Sequence, residues 1–513
     1  MRFALLLLLL VAGHSAAARD YTLEQVQLVH RHGSRSALVS YNDSLICGLE
    51  FPCGYLNRQG QDMLVNTGRF LRTRYTTDDT VVDPSSPFLT QESYNLTVSY
   101  TRSTDVLRTL QSADALLRGL FPNMTAYYPA VHTVMNKDDS LLNSATIPAL
   151  NAKYHYGDPE ERAACDSVVD HYFTPELLVR VASEVHYDGY CSNWTNRVKC
   201  VKTLCDIAQA YEPTGELQQH PLLNEHYFSL CATLVCSSRY LFSYDSTDAL
   251  QREQGSGGQA LAQELLLNVH KHLNQSSPFQ VLEYSAHDTT LSPLAGTLGD
   301  NSDAAMMPPF GTTYVFELLR RATAAEGSTE VGDYAMRVKR GHPGVTPDTN
   351  FEFAWDDFEL RCMHAAGDVY VAEGNVCPLE DFIRFIDSSK PTNAAGLCYI
   401  DPVLLARMNC SVTDTAFALS SDCLQYRLMC PSYACGKGQH VGFADKNCYK
   451  TVAATTGGDN SGTTVTTTGT STGVVVLIAF IMLAVGAALC YGGQLAYKKF
   501  RKPSTAATDV GIV

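Results

Sequence analysis

The stretch 29–37 reads Val29, His30, Arg31, His32, Gly33, Ser34, Arg35, Ser36, Ala37, which sets two guanidiniums around one imidazole beside a glycine. Arginine's planar fork matches phosphate oxygens two at a time and keeps its charge at any relevant pH. An imidazole flanked by cations loses basicity, so His32 can stay neutral at mildly acidic pH and attack phosphorus as a nucleophile. Gly33 lets backbone and ligand approach closely. Two other places carry compatible groups: Arg102, within Arg102-Ser103-Thr104-Asp105, and the pair His287-Asp288, within 284–291. An alkoxide is a poor leaving group and needs an acid nearby, and a carboxyl beside a bound phosphate, Asp288, can hold that proton. Each segment alone also has a plainer reading: a solvated basic turn, a helix-entry arginine pairing with Asp105, and a capping pair at a helix start.

Taken together and in this order, the segments resemble a known family. Residues 31–37 are similar to the RHGxRxP signature of the histidine acid phosphatases, and 284–291 to that family's second, His-Asp, signature. Residues 54–75, Arg102 to Asp105, and Pro308-Pro309-Phe310 followed by a strand ending near Glu317-Leu318 add to the likeness, which covers roughly 21–140 and 279–386. The resemblance implies a phosphoglycerate-mutase-like fold and an acid phosphatase of broad specificity for phosphate monoesters, with no metal and no other cofactor. It implies that His32 attacks phosphorus to form a phosphohistidine while Asp288 gives the leaving alcohol its proton. Arg31, Arg35, Arg102 and His287 would clamp the phosphoryl oxygens, where charge must be held through the transition state. Ala37 stands where the family has proline; proline stiffens a turn and does no chemistry, so a looser loop with retained activity is expected. Two alternatives stand beside this: a phytase or inositol-polyphosphate phosphatase, which needs a wide and strongly basic cleft, and a catalytically silent surface glycoprotein. The second would be expected to have lost the nucleophile or an arginine.

Such side chains must be brought together by the elements around them. Leu96, Val98 and Tyr100 alternate as in a strand, and after Arg102 the apolar period changes to that of a helix through Val106, Leu110, Ala113, Leu117 and Leu120. Val26 and Leu28 lead into the turn at 30–36 in the same way, and Phe279, Val281 and Tyr284 lead into His287-Asp288. A helical pattern runs through Met63, Leu64, Phe70 and Leu71, and Tyr314, Phe316 and Leu318 suggest a further strand. This alternation predicts an α/β fold, a mostly parallel central sheet covered by helices on both faces, spanning 19–140 and 276–397. In such sheets ligands bind outside the carboxyl ends of the strands, where helix N-termini favour anions. Residues 141–275 lack alternating strands and read as an inserted, mainly helical cap.

The rest of the chain sets the compartment. Residues 1–18 carry a positive start, an apolar run and Ala16-Ala17-Ala18, the pattern of a signal peptide. Of the 17 cysteines, all but Cys490 precede the C-terminal apolar stretch, an even number suited to disulfides in an oxidising lumen. Residues 398–450 read as a Cys-rich membrane-proximal extension and 451–473 as a Thr/Gly/Ser stalk. Residues 474–496 are uncharged and long enough to span a bilayer, with Lys498, Lys499, Arg501 and Lys502 starting a cytoplasmic tail over 497–513. Sequons at Asn42, Asn95, Asn123, Asn193, Asn274 and Asn409 fit a glycoprotein. The reading is therefore a single-pass type I membrane protein at the cell surface or an endosomal or lysosomal membrane, with a homodimer allowed. A net charge of -15 disfavours nucleic acid as a partner.

Overall fold

The computed structural model describes residues 20–450, except 49, 124–127, 412–414, 416–417, 437 and 443. The expected signal peptide, stalk, membrane span and tail lie outside the described residues. Among the described residues no helix is long and apolar enough to cross a membrane.

An eight-stranded sheet forms the centre. Its strands are β1 (Tyr21–Arg31), β2 (Ser99–Thr104), β3 (Val131–Val134), β4 (Val281–Ala286), β5 (Thr313–Arg321), β6 (Tyr334–Pro343), β7 (Phe353–Trp355) and β8 (Val376–Pro378). The order is β8-β6-β5-β1-β4-β2-β3, with β7 pairing β6. β1, β4, β2 and β3 run parallel, whereas β5 pairs antiparallel with both β1 and β6, and β6 antiparallel with β7 and β8. The expectation of a mostly parallel sheet is corrected here to a mixed one. A parallel neighbour needs a long crossover, and the connection from β5 to β6, 322–333, carries only a single 3-10 turn, so the two strands form a hairpin.

Helices cover both faces. On one side α1 (Arg58–Thr76) and α2 (Leu107–Leu120) bury Met63, Leu64, Leu71, Leu116 and Leu120 against Val26 and Leu28. After α3 (Pro148–Tyr156), four helices build a core of their own: α4 (Pro159–Tyr172), α5 (Pro175–Ser183), α6 (Arg197–Tyr211) and α7 (Tyr227–Phe242). Val169, Leu178, Val201, Leu204 and Leu230 meet there, Cys205–Cys231 ties α6 to α7, and Cys165–Cys236 ties α4 to α7. The expected cap, 141–275, does not end where its helices end. α8 (Gln259–Leu273) returns to the sheet and buries Leu261, Leu265, Leu266 and Val269 with Val29 and Tyr284, joined on that face by α9 (Asp288–Thr297) and α10 (Leu379–Ser388). The Cys-rich segment folds against α3 through Ile400, Leu404, Met408 and Tyr426 on Ala152. All sixteen cysteines of the described residues are paired, in eight disulfides.

Candidate active site

The carboxyl ends of β1, β4 and β2 lie side by side, with Arg31 opposite Ala286 and Ser103 opposite Ser285. Because β5 runs the other way, the turn that precedes it, 308–312, meets them at the same edge. The His32 N–H donates to the Ala286 carbonyl (3.0 Å), the Gly311 N–H donates to the His32 carbonyl (3.0 Å), and the Arg31 N–H to Thr312 (2.9 Å). The residue after β1 is thus fastened on both flanks. Gly33 then turns into the first turn of α1: a Cβ there would stand 2.2 Å from the Gly60 carbonyl oxygen. Asn57 caps α1 by accepting from the Gly60 N–H (2.8 Å) and donates to Ser34 Oγ (3.0 Å), while the Gly33 N–H donates to Ser112 Oγ of α2 (3.1 Å).

The His32 ring is buried, with Nδ1 2.9 Å from the Gly33 carbonyl. A carbonyl only accepts, so Nδ1 carries the hydrogen and the neutral ring keeps its lone pair on Nε2. Burial first, then the charges of Arg31, Arg108 and Arg35, push the imidazole well below the usual histidine range. Arg31 donates from Nη1 to the Pro308 carbonyl (2.6 Å), pairs through Nη2 with Asp288 Oδ2 (2.7 Å) and lies 4.4 Å over the Phe310 ring. Arg35 forks onto Asp206 through Nη2 and Nη1 (2.7 and 3.3 Å). Arg108, in the first turn of α2, donates from Nη2 to His287 Nδ1 (3.4 Å), and His287 Nε2 therefore donates to Thr104 Oγ1 (2.9 Å). The His287 ring lies 5.6 Å edge-on from His32, and burial with Arg108 holds its pKa down to about 3. Burial raises the Asp288 carboxyl, but Arg31 and Arg35 outweigh it and leave it below the usual range, with 38% of the side chain exposed. The Nε atoms of Arg31, Arg35 and Arg108 are all buried without a hydrogen-bond partner, as is that of Arg102. Buried charged donors without an acceptor are unfavourable, and a bound anion would complete those of the cluster.

The profile of the histidine phosphatase superfamily (branch 2) matches residues 22–339. The chain belongs to that superfamily. It is an enzyme, a phosphomonoester hydrolase of the histidine phosphatase type. Lysosomal acid phosphatase of Rattus norvegicus is 27% identical over 394 residues, covering 74% of this chain and 81% of the relative. Testicular acid phosphatase of Homo sapiens is 28% identical over 350 residues, covering 61% and 71% respectively. Among solved structures, the phytase from Citrobacter braakii has a TM-score of 0.49 at 18% identity, covering 71% of this chain and 97% of the phytase.

Within this histidine phosphatase, the fold brings Arg31, His32, Arg35, His287 and Asp288 into one cluster. Arg102 is not part of it. Two positions before the end of β2 it points along the Tyr284 side of the sheet, and Nη2 pairs with the buried Asp139 (2.7 Å). Arg108 takes the place given to Arg102. It lies past the strand end, on the helix face that also carries Ser112, and there it reaches over the strand tips to His287. The residue pattern offered one sign of this: Arg108 and Ser112 are four apart on the face of α2 turned to the polar turn. Asp206 also escaped notice, since nothing in α6 marks which of its polar residues points inward. The loop at Ala37 is not loose. Ala37 is buried against the cap core, its carbonyl accepts from the Gly54 N–H (3.1 Å), and the next amide, Leu38, donates to Asp206 (2.6 Å).

Proposed function

We propose that the chain is an acid phosphatase of broad monoester specificity, working without metal, in which His32 Nε2 attacks phosphorus in line with the departing alcohol. The observation that carries this reading is a buried imidazole, with its hydrogen on Nδ1 and its Nε2 lone pair free, on which the charges of Arg31, Arg35 and Arg108 all act, each with a buried Nε that no protein group accepts from. Those donors suit the equatorial oxygens of a transferring phosphoryl group, while His287, kept neutral, spends its one N–H on Thr104 Oγ1 and accepts from Arg108. Asp288 starts ionised against Arg31. A substrate dianion draws Arg31 to itself and adds negative charge, which raises the carboxyl until it holds a proton for the leaving oxygen. Water then attacks the phosphohistidine, with Asp288 taking the proton back. Phytase and silent-glycoprotein readings gain no support: acidic Asp206 lies beside the clamp, and the nucleophile is present.

Eight disulfides call for an oxidising compartment, and the relatives carrying the name lysosomal acid phosphatase support a lysosomal or extracellular one. A cleaved signal peptide, a single span over 474–496 and glycosylation belong to the same reading; none of the six sequon asparagines is buried. The decisive experiment replaces His32 by Ala and incubates both proteins with radiolabelled substrate at low pH. The variant should lose hydrolysis of an aryl phosphate and the wild type should carry label on His32. Full activity in the variant would end the reading. Asp288→Asn should slow alkyl phosphates far more than aryl phosphates, whose leaving groups need no proton.

A further inference from the structure

Asp206 reaches the phosphate site from outside the catalytic sheet. It stands on α6, in the cap, and its largely buried carboxylate accepts from Arg35 Nη2 (2.7 Å), Arg35 Nη1 (3.3 Å) and the Leu38 N–H (2.6 Å). One side chain therefore ties the turn that follows His32 to the cap by both its guanidinium and its backbone. Arg35 Nη1 also donates to the Ser36 carbonyl (3.1 Å). A guanidinium has five N–H donors in a fixed plane. Both of those on Nη1 and one on Nη2 are taken by these contacts. The two that remain, on Nε and on Nη2, point in parallel from one edge of the group, the spacing that grips two oxygens of a phosphate. Arg35 Nε is buried and has no partner.

We propose that Asp206 is a positioning residue for the phosphatase reaction, holding Arg35 from the cap so that its Nε edge meets the phosphoryl oxygens. The inference rests on the phosphatase reading above and adds the cap as a working part of the site. Charge points the same way. Arg31, Arg35 and Arg108 stand against Asp206 and Asp288, with both histidines neutral. A bound monoester dianion then leaves one surplus negative charge, which a single proton on Asp288 cancels. Asp288 faces Arg31 from β1, Arg35 from the turn, Arg108 from α2 and His287 at its own helix start. Asp206 acts electrostatically on Arg31 and Arg108 as well as on Arg35. The other cap groups in range are Tyr227, which faces Arg31, and Glu212, which accepts from the Tyr227 hydroxyl (3.0 Å). With the Asp206 charge removed, the occupied site is neutral while Asp288 is ionised, so the proton needed by the leaving group is held less tightly.

The test uses the full-length protein with Asp206→Asn, whose amide oxygen can still accept from Leu38, and with Asp206→Glu, which restores the charge. The Asn variant should raise KM for an aryl phosphate and Ki for inorganic phosphate about tenfold, the equivalent of one charge-assisted bond. Its kcat should fall less, and the alkaline limb of its pH profile should move down by about half a unit. The Glu variant should return the alkaline limb to the wild-type position and recover part of the Ki. A folded Asn variant with unchanged KM, Ki and pH limb would overturn the proposal, as would a loss of kcat alone or a Glu variant no better than Asn. His32→Ala, assayed alongside, separates the two ideas: if it stays active the phosphatase reading has failed, and if it is dead while Asp206→Asn behaves as wild type, only the positioning role has.

Discussion

Arg102 and Arg108 sit on either side of the point where β2 gives way to α2, and their side chains serve different ends. Arg108 stands against His287, and its charge acts on His32, so in the proposed reaction it serves the anion that His32 attacks. Burial beside Arg35 lowers it to about 10, still cationic at any acid pH. Arg102 neutralises Asp139, whose carboxylate is fully buried and also accepts from the Leu141 and Leu142 amides (3.3 and 3.1 Å). Arg108→Ala should therefore lower kcat/KM for a simple aryl phosphate by about 10²- to 10³-fold, the loss expected when one preorganised donor to a developing charge is removed, with little change in Tm. Arg102→Ala should do the reverse: an unfolding free energy lower by about 3 kcal/mol, because a buried carboxylate loses its counter-ion, with KM unchanged. Steady-state kinetics and thermal melts on the two variants check both. A loss of kcat/KM in Arg102→Ala at unchanged Tm would return the clamp role to Arg102.

Two glycine pairs set the elements that carry these side chains, and they separate catalysis from stability. Gly33 in the turn meets Gly60 at the start of α1, and Gly68 of α1 meets Gly119 of α2, where a Cβ on either would come within 2.1 Å of a carbonyl oxygen on the other helix. Any added methyl group must push backbone against backbone, for which a packed interior has no slack. Gly33→Ala should move His32 off its line and lower activity at least tenfold while the fold survives. Gly119→Ala, further from the strand tips, should lower stability by about 1 to 3 kcal/mol and leave KM near wild type, as kinetics alongside denaturant unfolding will read. At this scale much was legible in the residues: the strands through Val26 and Tyr284 and the helix through Val106 to Leu120 stand where their apolar periods put them, whereas Leu96 and Val98 lie in a turn and the strand there starts only at Ser99. The direction of β5 was not, since Tyr314, Phe316 and Leu318 alternate identically in a parallel or an antiparallel strand, and only the pairing with β1, Tyr21 opposite Arg321 and His30 opposite Thr313, decides. Arg102 misled for a related reason. A four-residue motif says nothing about which residue lies before the strand end and which lies on the helix beyond it, and a strand side chain and a helix side chain at the same height point different ways.

The acid phosphatase proposed above must also stay folded in acid, and the whole molecule contains opposing responses to falling pH. The net charge of -15 at pH 7 relaxes as carboxylates and histidines take up protons, which reduces self-repulsion. The buried histidines pull the other way. With His287 held down to about 3, the unfolded chain binds that proton first as pH falls below about 6.5, and stability drains by up to about 1.4 kcal/mol per pH unit until the folded group titrates. Glu317 supplies the counterweight. Fully buried on β5, it accepts from Arg74 Nε and Nη2 of α1 (2.7 and 3.1 Å), from the Tyr75 hydroxyl (2.9 Å) and from Arg337 of β6, joining a helix to two strands. Burial opposes its charge, yet Arg337 and Arg74 hold it at about 2 against an ordinary 4.5. Since the folded value is the lower one, the stabilisation, about 3 kcal/mol, is whole above pH 4.5 and disappears only as pH falls from there towards 2. It is thus still whole while the histidines weaken the fold between about pH 6.5 and 4.5, and below 4.5 the two losses add. Glu317→Gln keeps the shape and deletes the charge, leaving Arg74 and Arg337 buried without their carboxylate, so it should depress Tm strongly at pH 6. The difference from wild type should shrink steadily below pH 4.5, because the wild type is then losing the same charge. Calorimetry of both proteins between pH 3 and 7 reads that difference directly. A gap that stays constant across the range would mean the carboxylate contributes through shape and packing, not through ionisation.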